Sequence, residues 1–149
     1  MSTELKLRLK DEMKAAMRAK AKERLLTIRL IQSEVKRIEV DERIEVEDDR
    51  LLIVLDKMCK QRRDSITQYV AAEREELADI ERAEILVIQE FLPTPLTDDE
   101  LVTIVAAAIE ESAAESARDI GKVMAIVKPK IQGRADMGAV SKMVKEKLA

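Results

Sequence analysis

Apolar residues recur at helical spacing along nearly the whole chain. Leu5, Leu9, Met13 and Ala16/Met17 keep an i, i+3/i+4 rhythm. They predict a first helix, capped by Ser2 or Thr3 and running to about Lys22. A second stripe of Leu26, Leu30/Ile31, Val35 and Ile38 predicts a helix over roughly 23–38. Residues 39–48 (EVDERIEVED) are acidic, lose the stripe and read as a connector. Asp48 or Asp49 is placed to cap a third helix to about Val70, with Leu51, Leu52, Leu55, Met58, Cys59, Ile66 and Tyr69 inward. AAERE at 71–75 marks a turn, and a fourth helix from about Glu75 buries Leu77, Ile80, Val87, Ile88 and Phe91.

Pro93 and Pro95 stop that pattern. The residue before each proline is pushed out of helical geometry, so Leu92–Leu96 reads as an extended linker. Thr97-Asp-Asp-Glu100 is a capping box opening a fifth helix with Leu101, Val102, Val105, Ala108 and Ile109 on its apolar face. Ser116-Ala-Arg-Asp119 offers a second box before Ile120, Val123, Met124 and Val127, and Pro129 halts or kinks that helix. Asp136 is placed to cap a last helix with the stripe Met137, Val140, Val144 and Leu148. The expected architecture is all-α: an N-terminal helical domain (1–92) joined by a proline linker to a small three-helix tail domain (93–149).

All three glycines, Gly121, Gly133 and Gly138, fall within Ile120–Gly138, together with Pro129. Confining the breakers to one window specifies a backbone shape there, in which Gly121, Pro129, Gly133 and Asp136 are the fold-defining residues and Gly133 is free to adopt positive φ. Composition agrees with an all-helical chain. Charged residues are 38% and aromatics 1%, so the core has to come from Leu, Ile, Val, Ala and Met.

The net charge of −3 argues against indiscriminate nucleic-acid binding, but it conceals strong blocks. Residues 1–37 carry +6, three later stretches carry −6 each, and 120–149 carries +5. Alternating blocks usually reflect solvated helix faces pairing with one another. A terminal +5 around a glycine turn supports two readings of equal weight. In one, the glycines shape a helix junction and the lysines keep it soluble. In the other, Arg134 beside a helix N-terminus donates to phosphate, and Lys122, Lys128, Lys130, Lys142 and Lys145 extend the patch along a phosphate backbone.

With no histidine and one cysteine, the chain has no imidazole base, no His-dependent nucleophile and no cysteine-rich zinc site. Gly121-Lys122 lacks the upstream glycine of a phosphate-binding loop. No cofactor, metal or independent active site is expected. Cys59, Tyr69 and Phe91 read as core residues. A lone cysteine, an N-terminus without an apolar signal core, and no apolar run of membrane-spanning length give the expectation of a cytoplasmic protein without membrane association.

IGKVMAIVKPKIQGRADMGAVSKMVKEKL closely resembles the C-terminal motif of the GatB/YqeY family, with its G-K-V-M and G-R-A-D elements before an apolar helix. LRLIQSEVKRIEV, KQRRDSITQY and AEILVIQEFLPTPLT resemble the family's stand-alone members. AAERE departs from the family, whose members often carry a glycine there, and this would extend the third helix. The resemblance implies a tail domain shared with the B subunit of the glutamine-dependent Asp-tRNA/Glu-tRNA amidotransferase, where that domain engages the tRNA body. Carbon–nitrogen ligase activity with glutamine as amido donor attaches to the whole family through this domain, but the chain lacks the catalytic parts. The implied role is therefore a tRNA-binding accessory of tRNA-dependent amidation. Its partners would be tRNA and amidotransferase or aminoacyl-tRNA synthetase components, without DNA specificity. The reading set beside it is a protein-interaction adaptor with no RNA role, docking through its acidic faces or its basic first helix.

Overall fold

A chain this poor in glycine has to end most of its helices on other residues. A computed structural model describes residues 2–149 and contains, among them, seven α-helices and no strand. The helices are α1 (Glu4–Arg18), α2 (Lys22–Glu42), α3 (Asp48–Ala71), α4 (Glu75–Gln89), α5 (Asp98–Ser112), α6 (Ile120–Ile131) and α7 (Met137–Leu148), with a short 3₁₀ turn at Ala117–Asp119. Four helix stops use a non-glycine residue in the left-handed region: Lys20 (φ 56°), Arg43 (55°), Glu73 (59°) and Ala113 (54°). At Glu73 the amides of Glu73 and Arg74 donate back to Val70 O (3.1 Å) and Tyr69 O (2.8 Å). At Ala113 the amides of Ala113 and Ala114 donate to Glu110 O and Ile109 O, both at 3.2 Å. These paired bonds satisfy the orphaned carbonyls of the last turn and hold a conformation that a Cβ disfavours. AAERE therefore ends α3 at Ala71 rather than extending it.

The chain divides into two compact units, one ending at Pro93 and the other running Thr94–Ala149. The core of the first contains Leu9 and Ala16 of α1, Ile28, Ile31, Val35 and Ile38 of α2, and Leu51, Val54, Leu55, Met58 and Cys59 of α3, with Ile88 and Phe91. On α2 this corrects the expected stripe, because Leu26 and Leu30 are 59% and 40% exposed. Two apolar stripes share the same spacing on opposite sides of this helix, and periodicity cannot say which one meets the core. On α4, Ile80 is likewise exposed and Ala78 takes the buried place. Tyr69 is only half-buried, whereas Phe91 is a core anchor with the Arg8 guanidinium 5.0 Å from its ring centroid. Arg24 pairs with Glu12 (3.0 Å) and with Glu90, fixing the end of α4.

The acidic 39–48 stretch is not a free connector. Glu39 is helical, accepts from Lys6 Nζ (2.6 Å) and from the Val46 amide (2.9 Å), and so pins the loop that buries Val46. Those two bonds hold its carboxyl below the ordinary range, the Lys6 bond most strongly. Asp48 accepts from the Leu5 amide at 3.0 Å, and its own amide donates to Ser2 O at 2.8 Å. The residue expected to cap α3 thus caps the start of α1, a partner 43 positions away.

In the second unit, Leu101, Val105 and Ala108 of α5 pack with Val123, Val127 and Ile131 of α6 and Val140, Val144 and Leu148 of α7. Thr97 Oγ1 accepts from the Glu100 amide (3.2 Å), while the hydroxyl donates to Glu100 Oε1 (3.1 Å). Ser116 makes no corresponding cap bond; Asp119 Oδ2 instead accepts from the Glu115 amide, closing the turn in the reverse direction. Pro129 does not halt α6, which continues to Ile131, because a proline in the last turn forfeits one hydrogen bond and leaves the rest of the helix intact. Gly133 follows with φ 76° in a buried position. Gly121 lies inside α6, and a Cβ there would meet nothing within 4 Å.

Backbone geometry orders four substitutions. Gly133→Ala should cost about 1 kcal/mol or more, and Gly121→Ala should gain about 0.5–1 kcal/mol. Glu73→Gly and Ala113→Gly should each gain up to about 1 kcal/mol by relieving left-handed strain. Urea denaturation of each variant measures the sign directly.

Arg62 joins α3 to α4 through Glu84 (2.7 Å) and more distantly Glu81 (4.0 Å). Burial, and then the adjacent Glu84, push the Glu81 carboxyl above its ordinary value of 4.5, against the pull of Arg62. Glu81 thus holds its proton to higher pH in the folded chain than in the unfolded one. Its contribution favours folding in acid and is lost as pH rises through the folded value. Glu81→Gln should stabilise the protein at neutral pH, and the gain should shrink as pH falls through about 4.5, read by chemical denaturation across pH.

Candidate functional site

The corner between α6 and α7 is built by Arg134. Its amide donates to Ile131 O (2.8 Å), and its carbonyl accepts from the Leu96 amide (2.8 Å). Its Nε donates to Thr94 O (3.0 Å), and its guanidinium lies 4.0 Å from Glu100 Oε2. The side chain read from the sequence as a phosphate donor is therefore engaged in stapling the 94–96 segment to the corner. The partner that claims it is a backbone carbonyl 40 residues away, which no local motif announces. Asp136 occupies the N-cap position of α7, yet its side chain makes no cap hydrogen bond.

Lys122 sits on α6 3.6 Å from Asp119, one turn earlier. Asp119 is held below its ordinary value first by the Glu115 amide and then by this lysine. Lys128, Lys130, Lys142 and Lys145 are exposed, and none has an ion-pair partner among the described residues. Residues two apart on a helix point about 160° apart, so Lys128 and Lys130 flank the buried stripe Val123–Val127–Ile131 on opposite sides. Lys142 and Lys145, three apart on α7, share one face away from Val140, Val144 and Leu148. The structure thus brings Lys142 and Lys145 together, divides Lys128 from Lys130, pairs an exposed Lys122 with Asp119, and engages Arg134 with the Thr94 carbonyl.

Such an arrangement can hold an anion by charge. No group of three or more metal-ligating side chains occurs among the described residues. Cys59 is buried, and burial first of all pushes its thiol up, against the pull of Arg63 and Arg62, which leaves it as a core residue. Among the described residues no helix is long and apolar enough to cross a membrane.

A second positive feature lies in the first unit. A groove of about 400 Å³ runs between α1 and α2, with Leu9, Met13 and Val35 among Lys6, Lys10, Gln32, Lys36 and Glu39. Glu39 is committed to Lys6 and the Val46 amide. The +6 block over residues 1–37 is the sequence signal that could have found it.

The chain is similar to proteins named "Altered inheritance of mitochondria protein 41, mitochondrial". In Pyrenophora tritici-repentis the identity is 35% over 143 residues, covering 93% of this chain and 78% of the relative. In Clavispora lusitaniae it is 39% over 93 residues, covering 62% and 54%. In Kluyveromyces lactis it is 37% over 84 residues, covering 56% and 45%, so the match spans about half the length of these two relatives. Their name overturns the expected accessory role in tRNA-dependent amidation, and the adaptor reading gains nothing from it. That expectation followed a shared tail domain, and a fold does not carry the chemistry of the assembly in which it also occurs. The word "mitochondrial" overturns the cytoplasmic expectation as well, which rested on one cysteine and the absence of apolar runs, neither of which identifies a compartment. Residues 6–148 match the family described as Yqey-like protein, and the chain belongs to that family.

Proposed function

We propose that this protein is a binding module without chemistry of its own, and that its C-terminal unit engages the phosphate backbone of a structured RNA. The observation that carries this reading is the set of exposed lysines without an acidic partner among the described residues, Lys128, Lys130, Lys142, Lys145 and also Lys147, in a segment of net charge +5. Lysine acts as a point charge, which suits backbone contacts without base readout. Lys142 and Lys145 form the centre of the contact and Lys128 and Lys130 its margins. Arg134 supports the corner that presents them, and Lys122 stays paired with Asp119 at the start of α6.

The same reading takes residues 93–149 as the GatB/YqeY-type tail domain, joined through the Pro93–Pro95 linker to the N-terminal helical domain of 1–92. The relatives' name ties them to mitochondria, which makes RNA of that compartment the natural ligand to test once a bulk probe has been used.

Gel-shift titration with bulk tRNA at two salt concentrations tests the proposal. Binding should weaken steeply with salt, and Lys142→Glu with Lys145→Glu should lower affinity about tenfold or more at low salt. Replacing the same pair by Gln should reduce the log–log salt slope by about two, while Lys57→Gln on α3 should leave it unchanged. Salt-independent binding, or full affinity in the charge-reversed variant, would refute the reading.

A further inference from the structure

Helix α2 carries a second apolar stripe that the first unit leaves uncovered. Leu26, Leu30 and Val40 are 59%, 40% and 65% exposed. With Ser33 and Arg37 they occupy successive positions spaced four, three, four and three residues apart, about 20 Å of helix directed away from Ile28, Ile31, Val35 and Ile38. Scattered exposed apolar residues are ordinary on a protein surface. A heptad-spaced run with sorted charges on its two flanks is a more specific pattern.

The flanks are sorted by sign. On one side, Lys22, Arg29 and Lys36 recur every seven residues, and none has an ion-pair partner among the described residues. On the other side lie Glu34 and Asp41, seven residues apart, with Thr27 at the preceding place. Two copies packed in parallel about a twofold along the helix bring Arg29 and Lys36 against Glu34 and Asp41 of the second copy, acids that within one chain serve Arg37. Antiparallel packing sets like charges together. Arg37 is the charged position within the stripe, and Glu34 (2.5 Å) and Asp41 (3.3 Å) already neutralise it. A polar position in such a seam fixes register at some cost in strength.

We propose that α2 mediates parallel self-association, its outer stripe from Leu26 to Val40 packing against the same stripe of a second copy of the chain. This contact is independent of the RNA reading, which concerns the C-terminal unit.

Sedimentation equilibrium of the full chain, from sub-micromolar to several hundred micromolar, tests it. The expected result is a monomer–dimer equilibrium, abolished by Leu26→Glu combined with Val40→Glu while the helical circular dichroism is retained. A second measurement separates orientation from mere stickiness. Leu26→Cys alone and Val40→Cys alone should each form a disulfide-linked homodimer under a glutathione redox buffer, faster than Ala83→Cys on the exposed face of α4, with Cys59 silent because it is buried. A chain that is monomeric throughout, a Glu variant that still dimerises, or a Leu26→Cys chain that crosslinks only to Val40→Cys would each overturn the proposal.

Discussion

A chain with three glycines, all in one window, must still end its helices and turn between them. It does so by placing Lys20, Arg43, Glu73 and Ala113 in the left-handed region and tying the following amides back to the preceding turn. Each such residue carries strain that a glycine would avoid, so neighbouring contacts have to over-determine it. At Arg43 they are explicit. Glu39 holds the Val46 amide, Lys6 holds Glu39, and the buried Val46 side chain closes the loop. Short turns between long helices follow, and with them the packing of α1, α2, α3 and α4 around one apolar core.

The same economy governs the basic corner. Gly133 supplies the one positive-φ glycine, and Arg134 uses its amide, carbonyl and side chain to tie the end of α6 to the 94–96 segment. An arginine so engaged is less free to serve a ligand, since releasing it would give up its bond to the Thr94 carbonyl and loosen the segment entering α5. The lysines around it bear no such duty. Charge available for binding in this unit therefore belongs to its helix surfaces rather than to its conspicuous motif.

Much of the fold is legible in the sequence. The capping box at Thr97–Glu100, the stripe Val140–Val144–Leu148 and the core role of Cys59 all follow from local spacing and polarity. What local reasoning missed was partner choice. Asp48 looked like the cap of its own helix and serves α1, and Ser116 looked like a cap where Asp119 does the closing. Of the candidate site, the residues were readable but not their commitments, because an Arg134 bonded to a carbonyl and a Lys128 open to solvent look alike in sequence.

By itself the sequence determined that the chain is helical, where its proline and glycine breaks fall, and that its end is basic. Those properties depend on side chains within a turn or two of one another. The tertiary structure alone decided which of two equally spaced stripes on α2 enters the core and which remains outside. It also decided which acids neutralise which bases. Each of these depends on contacts between residues distant in the chain, or on the rotation of a helix about its axis, and the periodicity of a helix is blind to both.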